Sequence, residues 1–191
     1  MFIVVAYYTD DEIYGPAVDR LSTSLLKYGL NHHLQIIDSK GSWSANTSFK
    51  PSFIREMMDR YPGAGIVYTD ADSEFVSYPV LFDSLDCPVA IHLLDHTIYK
   101  PNRKRVELLS GTIFFNNSDK SKQIVDAWIQ VCQQFPEMWD QRALHRVLGS
   151  DFHQLPPGYC QIYDYMKSVA DPVVRHYQAS RVARRKQFVK G

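Results

Sequence analysis

The chain has 191 residues, of which 45% are hydrophobic, 22% are charged and 13% are aromatic, and its formal net charge is zero. This length and composition suffice for one globular domain with a substantial core. The zero net charge excludes a protein-wide electrostatic attraction to nucleic acid or to anionic membranes.

The cysteines and the first residues bear on where the protein works. Cys87, Cys132 and Cys160 are widely spaced and odd in number, which fits neither a disulfide framework nor a zinc site. We therefore expect a reducing, cytoplasmic location. Residues 1–9 are apolar but run into the acidic residues 10–12, a pattern that favours a strand over a signal peptide. No run approaches the roughly 18 apolar residues of a membrane span.

The first half of the chain alternates strand and helix patterns. Residues 2–8 form an apolar run that is typical of a buried strand. Residues 12–28 place apolar side chains at helical spacing, and Gly29 is suited to end that helix. The patterns that follow predict a strand at 33–37, a polar loop at 38–47, a helix capped by Ser48 with Pro51 in its first turn, a strand at 63–72, a short helix at 78–85 and a strand at 88–94. This order predicts an α/β fold with a Rossmann-like, mostly parallel central sheet flanked by helices.

The second half is less regular. Residues 108–116 are predicted to form a strand that is interrupted by Gly111, where a ligand or another chain segment can approach closely. Asp119 is suited to cap the helix that follows. The remaining predicted elements are a helix at 139–148, a strand at 159–163 and a strand at 172–177. Because no linker or repeat is visible, we predict a single domain over residues 1–180 and a basic tail over residues 181–191.

Two carboxylates end the predicted strand at 63–72. Only Ala71 separates Asp70 from Asp72, and two carboxylates this close require a cation or a shared proton. Ligands of open α/β sheets bind at the carboxyl ends of the strands, and hard oxygen ligands beside a diphosphate suit Mg²⁺ or Mn²⁺. An Asp-rich turn after a strand is the alternative interpretation.

The segments that carry a family resemblance are residues 5–9, 66–72 and 109–116, Trp128 in the following helix, and residues 139–144, 155–156 and 173–176. In this order they resemble the GT-A-fold nucleotide-diphospho-sugar transferases, which are glycosyltransferases with a DxD motif. The resemblance covers roughly residues 1–180. It implies a GT-A-like fold and the transfer of a sugar from a nucleoside-diphosphate sugar to an acceptor hydroxyl, with Mn²⁺ or Mg²⁺ as cofactor.

The resemblance also implies roles for particular residues. Asp70 and Asp72 would hold the cation, and His176 would complete its protein ligands. Asp140 and Gln141 would stabilise the positive charge on the anomeric carbon, and this element looks more like the retaining branches of the family. The structural alternative for His176 is a histidine that is hydrogen-bonded to backbone at a strand edge. The alternative for Asp140 and Gln141 is an ordinary acidic helix N-terminus.

Further residues are predicted to contact the donor. Aromatic residues at the end of the first strand can flank the base, an aspartate after the second strand can bind a ribose hydroxyl, and a lysine can reach phosphate unless it is merely exposed. Small hydroxyl residues can bind the sugar. In some branches a phosphate-binding Lys-Pro-Trp segment follows the late histidine, and here Arg181 or Arg184 would supply that charge. The donor-binding set is Ala6, Tyr7, Tyr8, Thr9, Asp38, Trp43, Lys50, Asp70, Ala71, Asp72, Ser110, Gly111, Thr112 and Arg181.

The sequence leaves two alternatives and the acceptor open. A metal-dependent nucleotidyltransferase or phosphohydrolase on a similar sheet would share the paired aspartates, and a nucleotide- or carbohydrate-binding module would lack catalysis. The acceptor can be a glycan, a lipid, a protein or a modified nucleic acid. Basic residues cluster at 100–105, and no acidic residue follows Asp171, so either segment can meet an anionic ligand. The basic C-terminus in particular can contact an anionic acceptor or surface.

Overall fold

The computed structural model describes residues 1–179 and residue 181. Of the predicted basic tail it thus describes Arg181 alone, and Arg184 lies outside the described residues. The strands are β1 (Phe2–Thr9), β2 (His32–Ile37), β3 (Gly65–Thr69), β4 (Ser73–Phe75), β5 (Val89–Asp95), β6 (Val106–Phe115), β7 (His153–Gln154), β8 (Gln161–Ile162) and β9 (Val174–His176). The helices are α1 (Tyr14–Lys27), α2 (Trp43–Ser48), α3 (Lys50–Arg60), α4 (Asp119–Gln134) and α5 (Asp140–Leu148), with 3₁₀ turns at Val80–Asp83, His96–Ile98 and Pro157–Cys160.

Six strands of the described chain form the central sheet, in the order β2-β1-β3-β6-β5-β7. The pairings of β1 with β2, of β1 with β3 and of β5 with β7 are parallel. The predicted α/β fold with a mostly parallel sheet is therefore confirmed. The sequence did not predict that β6 runs antiparallel to both β3 and β5. This reversal places Thr112 beside Thr69, so the middle of β6 lies next to the acidic residues after β3.

A second, smaller sheet has the order β4-β9-β8 in the described chain. Strand β4 begins immediately after Asp72 and pairs antiparallel with β9 in the register Ser73 to His176. Two residues far apart in sequence are thereby fixed side by side at the edge of the central sheet. The sequence predicted β9 but not β4, which is only three residues long.

Strand β1 shows why the sheet lies in the centre of the molecule. Its residues 3, 5 and 7 pack into one hydrophobic cluster together with residues of α3, α4 and α5. Residues 2, 4 and 6 pack into another cluster that includes Leu21 and Leu25 of α1. Successive strand side chains point to opposite faces, so an uninterrupted apolar strand requires cover on both sides. Burying each large apolar side chain contributes about 1.5–3 kcal/mol. Among the described residues, no helix is both long and apolar enough to cross a membrane.

Two predicted helix starts are wrong. Ser48 does not cap α3, because it is the last residue of α2, a helix that begins inside the predicted polar loop. The residue before α3 is Phe49, which provides no side-chain cap. Helix α4 is capped by Ser118, whose Oγ accepts a hydrogen bond from the Ser121 amide, and not by Asp119.

Other predicted boundaries need smaller corrections. The predicted helix at 78–85 is a 3₁₀ turn of four residues, and the predicted strand at 159–163 shrinks to β8 because the preceding residues form another 3₁₀ turn. Gly29 follows α1 with a φ of +62°. A positive φ is accessible to glycine without steric cost, and the predicted end of that helix is confirmed.

Candidate active site

A cleft of about 810 Å³ opens where β1, β3 and β6 meet the helices α2, α3 and α5. Most of the residues that the sequence predicted for a site converge here. Those that line the cleft are Tyr7, Tyr8, Thr9, Trp43, Lys50, Asp70, Ala71, Asp72, Ser110, Gly111, Asp140, Gln141, His176 and Arg181.

Three predicted donor-binding residues do not line the cleft. Ala6 is fully buried in the core on the α1 side of the sheet, because it alternates with Tyr7 along β1. Asp38 is exposed and lies outside the cleft wall, to which the next residue, Ser39, contributes instead. Thr112 is buried, and its Oγ1 lies 2.8 Å from Nε2 of His176. Of the three, Thr112 is connected to the cleft through that histidine.

The acidic pair and His176 form a compact cluster. One ligand atom from each of Asp70, Asp72 and His176 lies within 4.8 Å of the others, and Nδ1 of His176 is 3.9 Å from Oδ1 of Asp72. The second imidazole nitrogen of His176 faces Thr112, and Oδ2 of Asp72 accepts a hydrogen bond of 2.7 Å from the Ala179 amide. Outer contacts of this kind orient the side chains that ligate a metal.

Burial and charge act in opposite directions within the cluster. Burial alone would lower the pKa of His176, but the neighbouring Cys160, Asp72 and Asp70 raise it to about 10. Burial alone would raise the pKa of Asp72, but His176 and the Ala179 amide lower it below its ordinary value. Burial also raises the pKa of Asp70, although Lys50 and His176 act in the opposite direction, so the charges of the three groups depend on one another.

Gly111 leaves the space that the cluster needs. A Cβ atom at this position would lie 3.0 Å from Cε1 and 3.2 Å from Nδ1 of His176, and 3.3 Å from Oδ2 of Asp70. The Gly111 carbonyl also accepts a hydrogen bond of 2.9 Å from the Asp70 amide. Two carboxylates and an imidazole around a space kept open by a glycine fit a divalent cation.

Lys50 joins this cluster to the far side of the cleft. Its Nζ lies 3.2 Å from Oδ1 of Asp70 and 2.8 Å from Oδ2 of Asp140. The same nitrogen donates to the backbone carbonyl of Ser110 at 3.2 Å. The lysine is only 3% exposed, so the interpretation of Lys50 as an ordinary surface lysine is wrong. Burial alone would lower its pKa, but Asp140 and Asp70 raise it above the ordinary value.

Asp140 and Gln141 are held rigidly at the start of α5. Oδ2 of Asp140 accepts a hydrogen bond of 2.9 Å from the Ser110 hydroxyl, and the Asp140 carbonyl accepts one of 2.8 Å from the buried indole of Trp128. Oε1 of Gln141 accepts from the Ser110 amide at 3.1 Å, while Nε2 of Gln141 donates to Glu107 at 2.8 Å. Both ends of the Gln141 amide group are thus fixed.

Aromatic side chains form another part of the cleft wall. Tyr7 is packed beneath the helices, with its hydroxyl donating to the Asn46 carbonyl at 2.8 Å, whereas Tyr8 is half-buried and lines the cleft. Trp43 and Trp139 are 36% and 40% exposed and meet edge to face, with ring centroids 5.6 Å apart. Burial and the charges of Asp72 and Asp70 raise the pKa of the cleft residue Tyr14 to about 12.

Sequence reasoning missed several residues that line the cleft, of which Glu107 is the best connected. Its carboxylate contacts His96 at 3.0 Å, Arg105 at 2.8 Å and Gln141 at 2.8 Å. The predicted strand began at residue 108, one residue after Glu107, and so did not include it. Counting back in twos along the strand from Gly111 passes through Leu109 to Glu107, and this alternation is the signal that could have found it. Other missed residues are Asp11, Tyr14, Asn46, His96, Trp139 and Gln178, whereas Arg105 belongs to the basic cluster at 100–105 that the sequence had indicated.

Comparison with known proteins gives the class of this fold and then the family. Three solved glycosyltransferase structures have the same architecture at low sequence identity, which defines a GT-A-type fold. A model of the nucleotide-diphospho-sugar transferase family matches residues 37–188. The chain belongs to the nucleotide-diphospho-sugar transferase family, and it is an enzyme of the nucleotide-sugar glycosyltransferase type. The curated proteins contain no significant match to it.

The similar structures differ in how much of them the chain spans. A glycosyltransferase involved in glycosylating the major capsid of PBCV-1 is 11% identical, with a TM-score of 0.73 over 99% of this chain and 98% of that one. The galactosyltransferase LgtC, solved with donor and acceptor sugar analogs, is 9% identical, with a TM-score of 0.60 over 96% and 94%. GlyE of Streptococcus pneumoniae TIGR4 is 16% identical, with a TM-score of 0.65 over 92% of this chain. The match spans only 54% of the GlyE chain.

Proposed function

We propose that this glycosyltransferase moves the sugar of a nucleoside-diphosphate sugar to an acceptor hydroxyl with Mn²⁺ as cofactor and with retention of the anomeric configuration. The convergence of Asp70, Asp72 and His176 within 4.8 Å is the observation that carries the proposal. The same cleft also contains Asp140 and Gln141. Lys50 contacts both Asp70 and Asp140, and the Ser110 amide donates to Gln141.

The ligand set supports a divalent cation. Carboxylates suit both Mg²⁺ and Mn²⁺, whereas the imidazole of His176 favours Mn²⁺, because Mg²⁺ prefers oxygen ligands. A cation bound there supplies stabilisation of the negative charge that develops on the departing diphosphate. Asp70, Asp72 and His176 hold that position, and the Ala179 amide and Thr112 orient two of them.

Other cleft residues bind the donor. The half-buried Tyr8 and Tyr14 offer aromatic faces to the nucleoside. Gly111 leaves an open backbone beside the sugar, whereas the Ser110 hydroxyl is occupied, since it donates to Asp140 and accepts from Lys50. Arg181 lines the cleft and offers positive charge to the diphosphate, although its guanidinium also pairs with Asp164 at 3.1 Å. We assign Lys50 an indirect part, because its nitrogen already contacts Asp70, Asp140 and Ser110.

The reaction breaks the bond between the anomeric carbon and the phosphate oxygen and forms one to the acceptor oxygen. Positive charge that develops on the anomeric carbon needs an oxygen atom nearby, as in glycoside hydrolysis. Gln141 provides the amide oxygen, which keeps a lone pair beyond the one that accepts from Ser110. Asp140 adds a negative charge next to Gln141. The ion pair with Lys50 holds the Asp140 carboxylate in position.

Retention of the anomeric configuration is favoured because the carboxylates around the cleft already have partners. Asp11 accepts from three groups of its own turn, Glu107 contacts His96, Arg105 and Gln141, and Asp140 contacts Lys50 and Ser110. With the acidic pair assigned to the cation, none of the described cleft carboxylates is left as a base for the acceptor. We therefore assign the acceptor's proton to an oxygen of the leaving diphosphate.

A thermal-shift panel of nucleoside diphosphates and their sugars, with and without Mn²⁺, tests this proposal. At roughly 100 times its Kd, the matching donor should raise Tm by about 5–10 °C, and only when Mn²⁺ is present. NMR of the product should then show the anomeric configuration of the donor. Asp72→Asn should lose this Mn²⁺-dependent shift, and Asp86→Asn is its matched control, since Asp86 is exposed and lies outside the cleft. Release of inorganic phosphate without sugar transfer would instead indicate a phosphohydrolase.

A further inference from the structure

The loop between β5 and β6, residues 96–105, carries four cationic side chains and no acidic one. We call it the cationic loop. Its ends are tied together, because the His96 amide donates to the Arg105 carbonyl at 2.9 Å. Within it, the Arg103 amide donates to the Lys100 carbonyl at 2.8 Å. The cations therefore stand on a hydrogen-bonded loop with a defined shape.

Three of the four cations line the cleft, namely Lys100, Arg103 and Arg105, whereas Lys104 does not. Arg105 is neutralised by Glu107 at 2.8 Å. Lys100 and Arg103 form no ion pair with any residue that the structure describes. The Nζ atom of Lys100 is instead placed 5.2 Å above the ring of Tyr165. Two cations without carboxylate partners thus line the cleft while remaining exposed.

The cationic loop lies next to the position of sugar transfer. Oε1 of Glu107 contacts the Arg105 guanidinium at 2.8 Å and also Nε2 of Gln141 at 2.8 Å. The end of the loop and the Gln141 amide therefore share one carboxylate oxygen. The proposed cation site lies on the other side of Ser110, toward Asp70. The loop that carries Lys100 and Arg103 is therefore joined through Glu107 to the residue that the proposed reaction places at the anomeric carbon.

We propose that the acceptor is a saccharide with a negatively charged substituent, a carboxylate or a phosphate, which Lys100 and Arg103 bind. This inference rests on the proposed function, because it names the acceptor of the same reaction. Hydrogen bonds to a charged group are stronger than neutral ones, so two of them give a large preference for a charged acceptor over its neutral counterpart.

The position of the cations favours a saccharide over a nucleic acid or a membrane surface. Binding to those polyanions uses many outward-facing cations at once. Here three of the four cations of the loop line a cleft, and the whole chain has no net charge. Three cations at one cleft match the size of a single charged sugar better than the extended backbone of a duplex or the surface of a bilayer.

The test measures binding of charged and neutral sugars by isothermal titration without metal. The probes are methyl glucuronide, glucose 6-phosphate and the neutral methyl glucoside, so the carboxylate and phosphate arms are separate. We expect at least one charged probe to bind at least about tenfold more tightly than the neutral one. The double variant K100Q/R103Q should bring this ratio close to one, whereas the charge-conserving K100R/R103K should keep most of it.

Lys104→Gln is the matched control, because Lys104 is an exposed cation of the same loop outside the cleft. It should leave the preference unchanged. Equal binding of all probes, or a preference that survives in K100Q/R103Q, overturns the inference. So does binding of an oligonucleotide or of phosphatidylglycerol vesicles that depends on Lys100 and Arg103 without any preference among the sugars.

The thermal-shift panel separates this inference from the function on which it rests. A stabilising nucleotide sugar together with equal binding of the three probes contradicts the charged acceptor alone. Charge-dependent sugar binding without any stabilisation by Mn²⁺ and nucleotides contradicts the proposed function instead. Thermal unfolding of each variant, compared with the unsubstituted chain, shows that its fold is intact.

Discussion

The side-chain nitrogen of Lys50 lies 2.8 Å from a carboxylate oxygen of Asp140. Because the same nitrogen is 3.2 Å from Asp70, one buried cation links the start of the DxD segment to the start of α5. Removing one partner of a buried ion pair leaves the other charge uncompensated, which is more costly than the pair itself is stabilising.

We expect Lys50→Met to lower the free energy of unfolding by about 3–5 kcal/mol, measured by urea denaturation. Methionine keeps most of the side-chain volume, so the loss would come from the charge. Lys104→Met is the control, and this exposed position should change stability by no more than about 0.5 kcal/mol. A Lys50→Met protein as stable as the control would mean that the two aspartates do not depend on the lysine.

Gly111→Ala should weaken Mn²⁺ binding about tenfold, because the added methyl group must displace the His176 ring or the Asp70 carboxylate. Titration calorimetry with Mn²⁺ measures the effect directly. Gly15→Ala is the matched control, since a Cβ atom at Gly15 meets no atom within 4 Å. Unchanged affinity in Gly111→Ala would show that the cation does not use this corner of the cleft.

Glu107→Ala should lower kcat by about 10- to 100-fold while leaving the KM for the donor nearly unchanged. The substitution frees the Gln141 amide, and small misplacements of a reacting group carry penalties of this size. Glu107→Gln keeps an oxygen that can accept from Gln141 and should retain much of the activity. Steady-state kinetics of both variants gives the comparison, and an equal loss in the two would point to the charge of Glu107 rather than to its hold on Gln141.

His92 should make stability depend on pH. Burial lowers its pKa, although the bond between its ring and the Leu155 carbonyl partly offsets that effect. The unfolded chain, with a His pKa of about 6.5, therefore binds a proton more readily than the folded one. The stability due to neutral His92 is present above that pH and is lost as the pH falls through it toward the lower folded pKa.

Urea denaturation at pH 7.5 and pH 5 checks this dependence. The unsubstituted chain should lose more stability between the two conditions than His92→Gln does. His153→Gln, at an exposed position, should lose as much as the unsubstituted chain. Identical losses in all three proteins would show that His92 does not contribute to the acid sensitivity.

The sequence was most informative where one physical signal dominated. The apolar runs of β1 and β3, the helical spacing of α1 and the glycine after it all predicted local structure correctly. Because polar residues at the ends of these strands must meet at one sheet edge, the convergence of Tyr8 with Asp70 and Asp72 in one cleft also followed from the pattern.

Tertiary contacts were beyond that reasoning. The reversal of β6 depends on which strands pair, and no local pattern records it. The sequence showed Lys50 as a residue at a helix start that could reach phosphate or be merely exposed. Its burial depends on Asp70 and Asp140, which other segments supply. Similarly, no local pattern indicated that Ser39 would line the cleft and that Asp38 would not.

The most direct test of the account is electron paramagnetic resonance of Mn²⁺ added to the unsubstituted chain, to Asp72→Asn and to Asp86→Asn. Asparagine keeps the shape of Asp72 but removes a charged ligand. We expect the signal of free Mn²⁺ to fall with the unsubstituted chain and with Asp86→Asn, in proportion to one ion per chain, and to persist with Asp72→Asn. Binding by Asp72→Asn equal to that of the unsubstituted chain would contradict the central claim that Asp70, Asp72 and His176 hold the cation.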